Sequence, residues 1–389
     1  MHVLDTLQAR GFVHQHTDEA TLRARMDAGP VTFYCGFDPT GDSLHVGHLL
    51  PLMLMTHLSR AGHTAIAVVG GGTAMVGDPS GKDETREVLD DARIAANKVA
   101  IGAQIARFCE GELVDNADWL MGLGYIAFLR DVGRHFSVNR MLSAESVKLR
   151  LERNQGLSFI EFNYSLLQAY DFVELYRRYR CTLQIGGQDQ WFNIVSGIDL
   201  IRRLTGGEGF GLTLPLLTTA SGAKMGKTAS GAVWLDANKF SAFDYRQYWY
   251  NCDDRDVERF LKLFTFLPLE DIAALVGGDV REAKRVLALE ATAVVHGREA
   301  AEAADLAARA ALTGGASADT PELVHPLPAS LLDLLVAGGL TASKGEGRRL
   351  VQGGGVSLDG VKVDDPNCVV EVPALLRVGK KKAVKLCLP

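Results

Sequence analysis

The sequence predicts an α/β protein: a parallel-sheet domain, then an all-α segment, then a small α+β module. Three observations predict it. Short apolar runs, each followed by a Gly/Asp-rich turn and an apolar helix, recur through residues 1–230. Residues 231–312 are rich in Ala, Leu and Glu/Arg pairs at helical spacing. A Gly/Ser/Pro-rich stretch at 313–327 then separates a last segment, 328–389.

Each element follows from local chemistry. Val31–Cys35 reads as a buried strand, running through the turn-rich Gly36–Ser43 into an apolar helix over Val46–Ser59. Ala65–Gly70 is a second buried strand, and Thr182–Ile185 a third, after a helix over Glu161–Tyr179. Apolar strands alternating with helices imply a parallel sheet covered on both faces, whose ligands sit beyond the carboxyl ends of the strands. The last segment opens with two helices, Leu331–Leu340 and Lys344–Gln352, and continues through a Gly-rich turn into short strands around Gly355–Val363.

Composition excludes several classes. The chain has 389 residues, 47% hydrophobic and 23% charged, which suits two or three globular domains. No apolar run is long enough for a transmembrane helix, and the N-terminus has Asp5 where a signal peptide needs an apolar stretch, so a cytoplasmic location is expected. The six cysteines are scattered with no metal-ligand spacing, as in a reduced protein without structural zinc. The net charge is −6, but from Pro328 onward nine Lys/Arg face six Asp/Glu, leaving −9 on the rest. An acidic body with a basic tail fits either an appendage for an anionic partner or a solvated tail.

Two motifs carry phosphate chemistry. His45-Val-Gly47-His48 begins a helix, so both imidazoles share one face beside free N–H groups and the positive end of the dipole. Gly47 would let a ring or phosphate approach the backbone; capping histidines are the plainer alternative. Lys224-Met-Gly-Lys227-Thr228 sets two ammonium groups three apart in a Gly-containing loop, suited to a polyphosphate or a departing pyrophosphate. Alone, it also describes a solvated basic turn. A third constellation, Tyr164, Gln168 and Asp171, lies at i, i+4 and i+7 on one helix face. Tyr34 closes the first strand, Asp78 follows the second, and Gln188-Asp189-Gln190 follows the third.

The strings YCGFDPTGDSLHVGH, VGDPSGK, YSLLQAYDF, LQIGGQDQW and KMGKT, in this order, resemble the bacterial tyrosyl-tRNA synthetases, a class I family. The paired HxGH and KMGKT motifs resemble the double signature of that class, with Gly226 where Ser is common and tyrosyl enzymes carry Gly. The similarity spans essentially the whole chain. It implies a Rossmann-like catalytic domain (1–230), a helical domain that reads tRNA (231–312), a linker (313–327) and an S4-like RNA-binding domain (328–389), the last resemblance clearest over Leu340–Val363.

By that resemblance, Tyr34 and Asp171 would bind the substrate phenol, and Tyr164, Asp78 and Gln168 its ammonium group. Asp38 and Gln190 would shape the same pocket. Cys35, Gly36, Gly47, His48, Gly187 and Asp189 would lie along ATP, with Cys35, His48 and Asp189 at the ribose. Thr40 and His45 would hold its γ-phosphate end, and Lys82, Arg86, Lys224, Lys227 and Thr228 would close over pyrophosphate. ATP would be a substrate accompanied by Mg²⁺, with no protein metal cage. The tyrosine carboxylate would attack the α-phosphorus, and the tyrosyl group would pass to the 3′-terminal adenosine of tRNA(Tyr). Such a reaction needs positioning and electrostatic stabilisation rather than a side-chain nucleophile. Lys344, Arg348, Arg349 and Lys380–Lys382 would contact tRNA phosphates.

The resemblance also implies a homodimer. Trp119–Met141 is apolar enough for an interface, though equally for a core. Two features depart from the family pattern: Gln188, where a small residue is usual, and the Gly353–Gly355 run. A tryptophanyl-tRNA synthetase shares the fold and reaction, but Tyr34 and Asp171 suit a phenol better. A small HxGH nucleotidylyltransferase would need neither the Tyr164/Gln168/Asp171 face nor an RNA-binding tail. An inactive RNA-binding relative would have no reason to keep both signatures.

Overall fold

The structure is a computed structural model describing residues 2–78, 90–108, 110–154, 156–222, 225–228, 231–313, 320–379 and 382–388, without the side chains of 227, 228 and 311–313. It divides into two compact units: Met1–Ser241 with Tyr248–His296, and Ala242–Gln247 with Gly297–Pro389.

The first unit is built on a six-stranded sheet of order β1-β6-β5-β2-β3-β4, where β1 is Gln15–His16, β2 Thr32–Phe37, β3 Thr64–Val69, β4 Glu112–Asp115, β5 Leu183–Gly187 and β6 Phe210–Leu214. All neighbours are parallel except the short edge strand β1, which runs antiparallel to β6. The predicted strands are β2, β3 and β5. They are central, so both faces are covered and the sequence reads as continuous apolar runs. The helix Phe159–Tyr179 begins at a capping box: Ser158 Oγ accepts from Glu161 N and the Glu161 carboxylate accepts from Ser158 N. Glu161 also meets the buried Arg150 at 3.2 Å. Phe172, Ala169 and Leu175 of this helix pack with Tyr34, Ile66 and Val68 of the sheet.

The helices after the sheet in this unit include Val257–Phe264, Leu269–Val276 and Val280–His296. Trp249 stacks on Phe260 and Phe264, with ring centroids 5.6 and 4.8 Å away. Arg10, buried at the end of the first helix, donates to the carbonyls of Lys262, Thr265 and Leu267, satisfying groups that the Val257–Phe264 helix leaves open at its C-terminus.

In the second unit, Arg246 and Asp305 form a buried ion pair at 2.9 Å. A five-stranded sheet runs in the order Val361–Lys362, Val356–Leu358, Leu375–Val378, Lys382–Cys387, Glu322–Val324, and its core includes Leu331, Leu334 and Leu335 of one helix with Val351 of the next, Lys344–Gln352. The stretch read as linker thus carries a strand near its end, Glu322–Val324, paired parallel to Lys382–Cys387. Pro321, Pro326 and Pro328 around it mask its strand signal. The Gly353–Gly355 run ends the Lys344–Gln352 helix: Gly354 has φ +68°, and Gly355 N donates to Leu350 O.

Candidate active site

Because β2, β3, β4 and β5 are parallel in sequence along the sheet, the residues that follow them, Asp38, Gly70–Asp78, Asn116–Trp119 and Gln188–Gln190, gather at one end of it. The helix carrying Tyr164, Gln168 and Asp171 packs against these strands, and Tyr164 and Asp171 are buried.

Asp171 is the most constrained of them. One carboxylate oxygen accepts from Trp119 Nε1 at 2.7 Å, the other from Asn116 Nδ2 at 3.0 Å. Burial pushes its pKa up to about 7 against those two hydrogen bonds, with the Asp38 and Asp115 charges pushing the same way. Tyr34 is 2% exposed, its ring 5.2 Å from Phe172, and its hydroxyl has no hydrogen-bond partner among the described residues. Burial, then the nearby Asp171 charge, keep that phenol protonated well above the usual range. Gln184, paired in register with Tyr34 on β5, is equally buried and its Oε1 is also without a partner. Orphaned groups of this kind are costly to bury, which marks a place where a polar ligand atom belongs.

Asn116 joins this corner to the next. Its Oδ1 accepts from Gly72 N at 2.8 Å, and its amide donates to Thr73 Oγ1 at 3.0 Å. Thr73 Oγ1 in turn donates to Asp38 at 3.3 Å. On the far side, Asn193 Nδ2 donates to Gln168 and Gln190, at 3.0 and 3.1 Å, and Gln190 Nε2 donates to Asp78 at 2.9 Å. The predicted residues Asp78, Gln168 and Gln190 therefore belong to one side-chain network. Asn116, Trp119, Thr73, Asn193 and Gln184 were missed. The position of Asn116 and Trp119 just past a strand end was the available signal, but β4 itself went unread.

At the phosphate motifs, His45 is the N-cap of the Val46–Arg60 helix. His45 Nδ1 accepts from Gly47 N at 3.0 Å, and His48 Nδ1 accepts from His45 N at 3.2 Å. With Nδ1 accepting, each neutral ring carries its proton on Nε2 and is a donor there. Capping and phosphate donation are thus compatible rather than rival. A Cβ on Gly47 would lie 2.7 Å from the His45 ring, so glycine here makes room for the cap itself. Thr40 is exposed, its N–H bonded to Asp38 O at 2.8 Å. Asn97 holds Pro39 O at 2.9 Å, and Gln104 accepts from Leu44 N at 2.9 Å, fixing the loop into the helix. Cys35 is buried, Gly36 and Asp189 are exposed, and Gly187 is partly exposed. Gln188 reaches sideways, its Oε1 accepting from Leu216 N at 3.0 Å.

The second motif lies against the first. Val233 N donates to Gly226 O at 3.1 Å, Val46 N to Val233 O at 2.9 Å, and Leu235 N to Leu44 O at 2.8 Å. Gly226 has φ +107°, and a Cβ there would approach His45 Nδ1 to 3.3 Å, so any side chain here would be strained. Lys82, Arg86, Lys224, Lys380 and Lys381 lie outside the described residues, as do the side chains of Lys227 and Thr228.

A parallel sheet with an HxGH helix start and a bonded KMGKT segment defines a class I tRNA synthetase, and residues 26–313 match the family model of class I tRNA synthetases (W and Y). The tyrosine–tRNA ligase of Xanthobacter autotrophicus is 52% identical over 98% of this chain and 97% of its own length; that of Zymomonas mobilis is 52% identical over 97% and 96%. A C-terminally truncated mitochondrial tyrosyl-tRNA synthetase of Aspergillus nidulans superposes with TM-score 0.71 at 31% identity, covering 79% of this chain and 93% of that one. A tryptophanyl-tRNA synthetase of Encephalitozoon cuniculi, 13% identical with TM-score 0.58 over 77% of this chain and 87% of that one, shares the fold alone. This chain belongs to the bacterial tyrosine–tRNA ligase family.

Proposed function

We propose that the protein activates L-tyrosine with ATP to tyrosyl-AMP and pyrophosphate, then transfers the tyrosyl group to the 3′-terminal adenosine of tRNA(Tyr). Family membership supports the reaction. The observation that carries the amino acid is the buried pair at the pocket floor. The Tyr34 hydroxyl lacks a partner, and the nearby Asp171 carboxylate is held by Asn116 and Trp119. A substrate phenol both accepts and donates, so it would complete this corner. Phenylalanine would leave the Tyr34 hydroxyl unpaired in a dry site and offer Asp171 no donor beyond Asn116 and Trp119.

Asp78, Gln168, Tyr164 and Gln190 would receive the substrate ammonium, and Asp38 would shape the pocket wall through Thr73. Cys35, Gly36, Gly47, His48, Gly187 and Asp189 would line ATP. His45 and Thr40 would bind the triphosphate end, their donors aimed by the helix cap. Lys82, Arg86, Lys224, Lys227 and Thr228 would balance the charge that grows on pyrophosphate. The substrate carboxylate is already ionised, so positioning replaces a general base. Mg²⁺ would enter with ATP.

The helical segment 231–312 and the S4-like segment 328–389 would bind tRNA. Arg348, Arg349 and Lys382 are exposed, while Lys344 is paired with Asp333 and contributes less. Removing everything after Leu327 should then weaken tRNA charging far more than adenylate formation; equal loss would refute that division. The exposed apolar side chains Tyr125, Ile126, Val138 and Phe159 favour a homodimer, which a purely monomeric sedimentation profile at micromolar concentration would end. We place the enzyme in the cytoplasm, where charged tRNA is used.

The deciding experiment is ATP–pyrophosphate exchange with tyrosine, tryptophan or phenylalanine supplied in turn. Exchange with tyrosine alone is expected. Exchange with tryptophan would overturn the roles of Tyr34 and Asp171.

A further inference from the structure

The stem that carries the KMGKT segment is gripped from outside the sheet domain's motifs. Leu217 O accepts from Met225 N at 3.0 Å, which ties those two residues together, and Thr219 O accepts from Gly222 N at 2.8 Å, which closes a turn over Thr219–Gly222. Inside it the Thr219 and Ser221 hydroxyls are 2.8 Å apart. The backbone on either side of Thr219 is held by two side chains from the start of the Val257–Phe264 helix. Asp256 accepts from Ala220 N at 2.8 Å with one oxygen, and from Arg259 Nη2 at 2.7 Å with the other. The same Arg259 nitrogen donates to the carbonyl of Thr218. One carboxylate and one guanidinium therefore read a carbonyl and an N–H that flank a single residue.

Asp256 is only 2% exposed, yet it makes these bonds to a surface turn rather than to a structural core. Arg259 is about half open, with 42% side-chain exposure. Further backbone bonds tie the described residues of this segment to the HxGH helix. Leu217 binds Met225, Gly226 accepts from Val233, and Val233 accepts from Val46, the first residue of the HxGH helix.

We propose that Asp256, acting with Arg259, is a positioning residue for the activation step: it fixes the turn to which Met225 is tied, and so the place of Met225–Gly226 against the start of the HxGH helix. The role is indirect: both side chains act on the backbone of the Thr218–Ala220 turn. It rests on the tyrosine-activation reading above. A buried acid locking a turn can move the turn's far end by a fraction of an ångström, and displacements of that order change rates by about tenfold to a hundredfold. The tyrosine corner, built on Tyr34, Asn116 and Asp171, shares no bond with this stem, so the effect is specific to the nucleotide side.

The test uses the full-length protein and three variants, Arg259→Met, Arg259→Lys and Asp256→Asn. Active sites are counted by the burst of tyrosyl-adenylate, so misfolded protein drops out of every rate. Wild type is assayed first for tyrosine-dependent exchange; its absence would sink the underlying reading, and this proposal with it. Given wild-type exchange, Arg259→Met and Asp256→Asn should lower kcat or raise the KM for ATP by about tenfold or more, with tyrosine affinity in the absence of ATP within about twofold of wild type. Arg259→Lys should recover part of the loss, because an ammonium can still reach one of the two acceptors. If Asp256→Asn does not fold, the half-exposed Arg259→Met decides alone. Rate constants per active site within about twofold of wild type in Arg259→Met overturn the proposal. So does an equal loss of tyrosine affinity, which would mean a general disturbance of the domain.

Discussion

At the scale of single residues, the site stores an unsatisfied bond. The Tyr34 hydroxyl is buried without a partner, and its ring is packed against Phe172. Replacing it by phenylalanine should act in opposite directions on stability and function. The ligand-free protein should gain about 1 kcal/mol, because a desolvated hydroxyl disappears without loss of packing. The kcat/KM for tyrosine should fall by roughly 0.5–1.5 kcal/mol, the worth of one neutral hydrogen bond, and discrimination against phenylalanine should shrink with it. Urea unfolding and exchange kinetics on one Tyr34→Phe preparation check both. A loss of stability would mean that the hydroxyl has a partner after all. At Gly226, the positive φ and the nearness of His45 would strain any side chain.

At the scale of elements, parallel strands deliver the site. The central strands β2, β3 and β5 were legible because burial on both faces leaves an unbroken apolar run, though β6, equally buried, was not read; the Tyr164/Gln168/Asp171 face was legible because helical spacing is regular. The edge strands were not. β4 is Glu-Leu-Val-Asp with its first two residues exposed, and β1 is only two residues long, so neither shows a period. With β4 unread, Asn116 and Trp119 had no place. Asn116 is 1% exposed and bonds Gly72, Thr73 and Asp171, thereby joining the ends of β3 and β4 to the long helix. Asn116→Ala should destabilise the fold by about 1–3 kcal/mol and weaken tyrosine binding more than ATP binding. Separate titrations of the two ligands, with thermal unfolding, test this; an unchanged tyrosine affinity would remove Asn116 from the site. Gln188, where a small residue is usual, ties the end of β5 to the segment after β6 through its amide.

At the scale of the whole molecule, buried titratable groups set opposing pH trends. Burial holds His57 and His296 neutral, their pKa values lowered from 6.5 to about 4. Their folded values lie below the unfolded ones, so the unfolded chain binds more protons between those limits. The stability they contribute is present above pH 6.5 and is lost as pH falls toward 4, on the order of 1–3 kcal/mol for each. Asp171 works the other way. Its folded value is raised to about 7 from 3.8, so its contribution is complete below 3.8 and is lost as pH rises through 7. Urea midpoints should therefore fall on the acid side through the histidines, and His57→Leu should flatten that limb without changing the limb above pH 7. An acid limb of unchanged slope in His57→Leu would exclude His57 as its source. The module boundary belongs to this scale too. The prolines around Glu322–Val324 signalled a linker, and only the long-range partner Lys382–Cys387 makes that stretch a strand.

The three carbonyls that Arg10 grips belong to residues 262, 265 and 267, and β1 finds its neighbour only at Leu212 and Thr213. During synthesis Arg10 and β1 leave the ribosome with none of these companions yet made. That segment must wait, open to chaperones and proteases, for some two hundred residues before β6 can receive it and longer before Arg10 can dock. A segment translated well before its partners is thus among the last to settle.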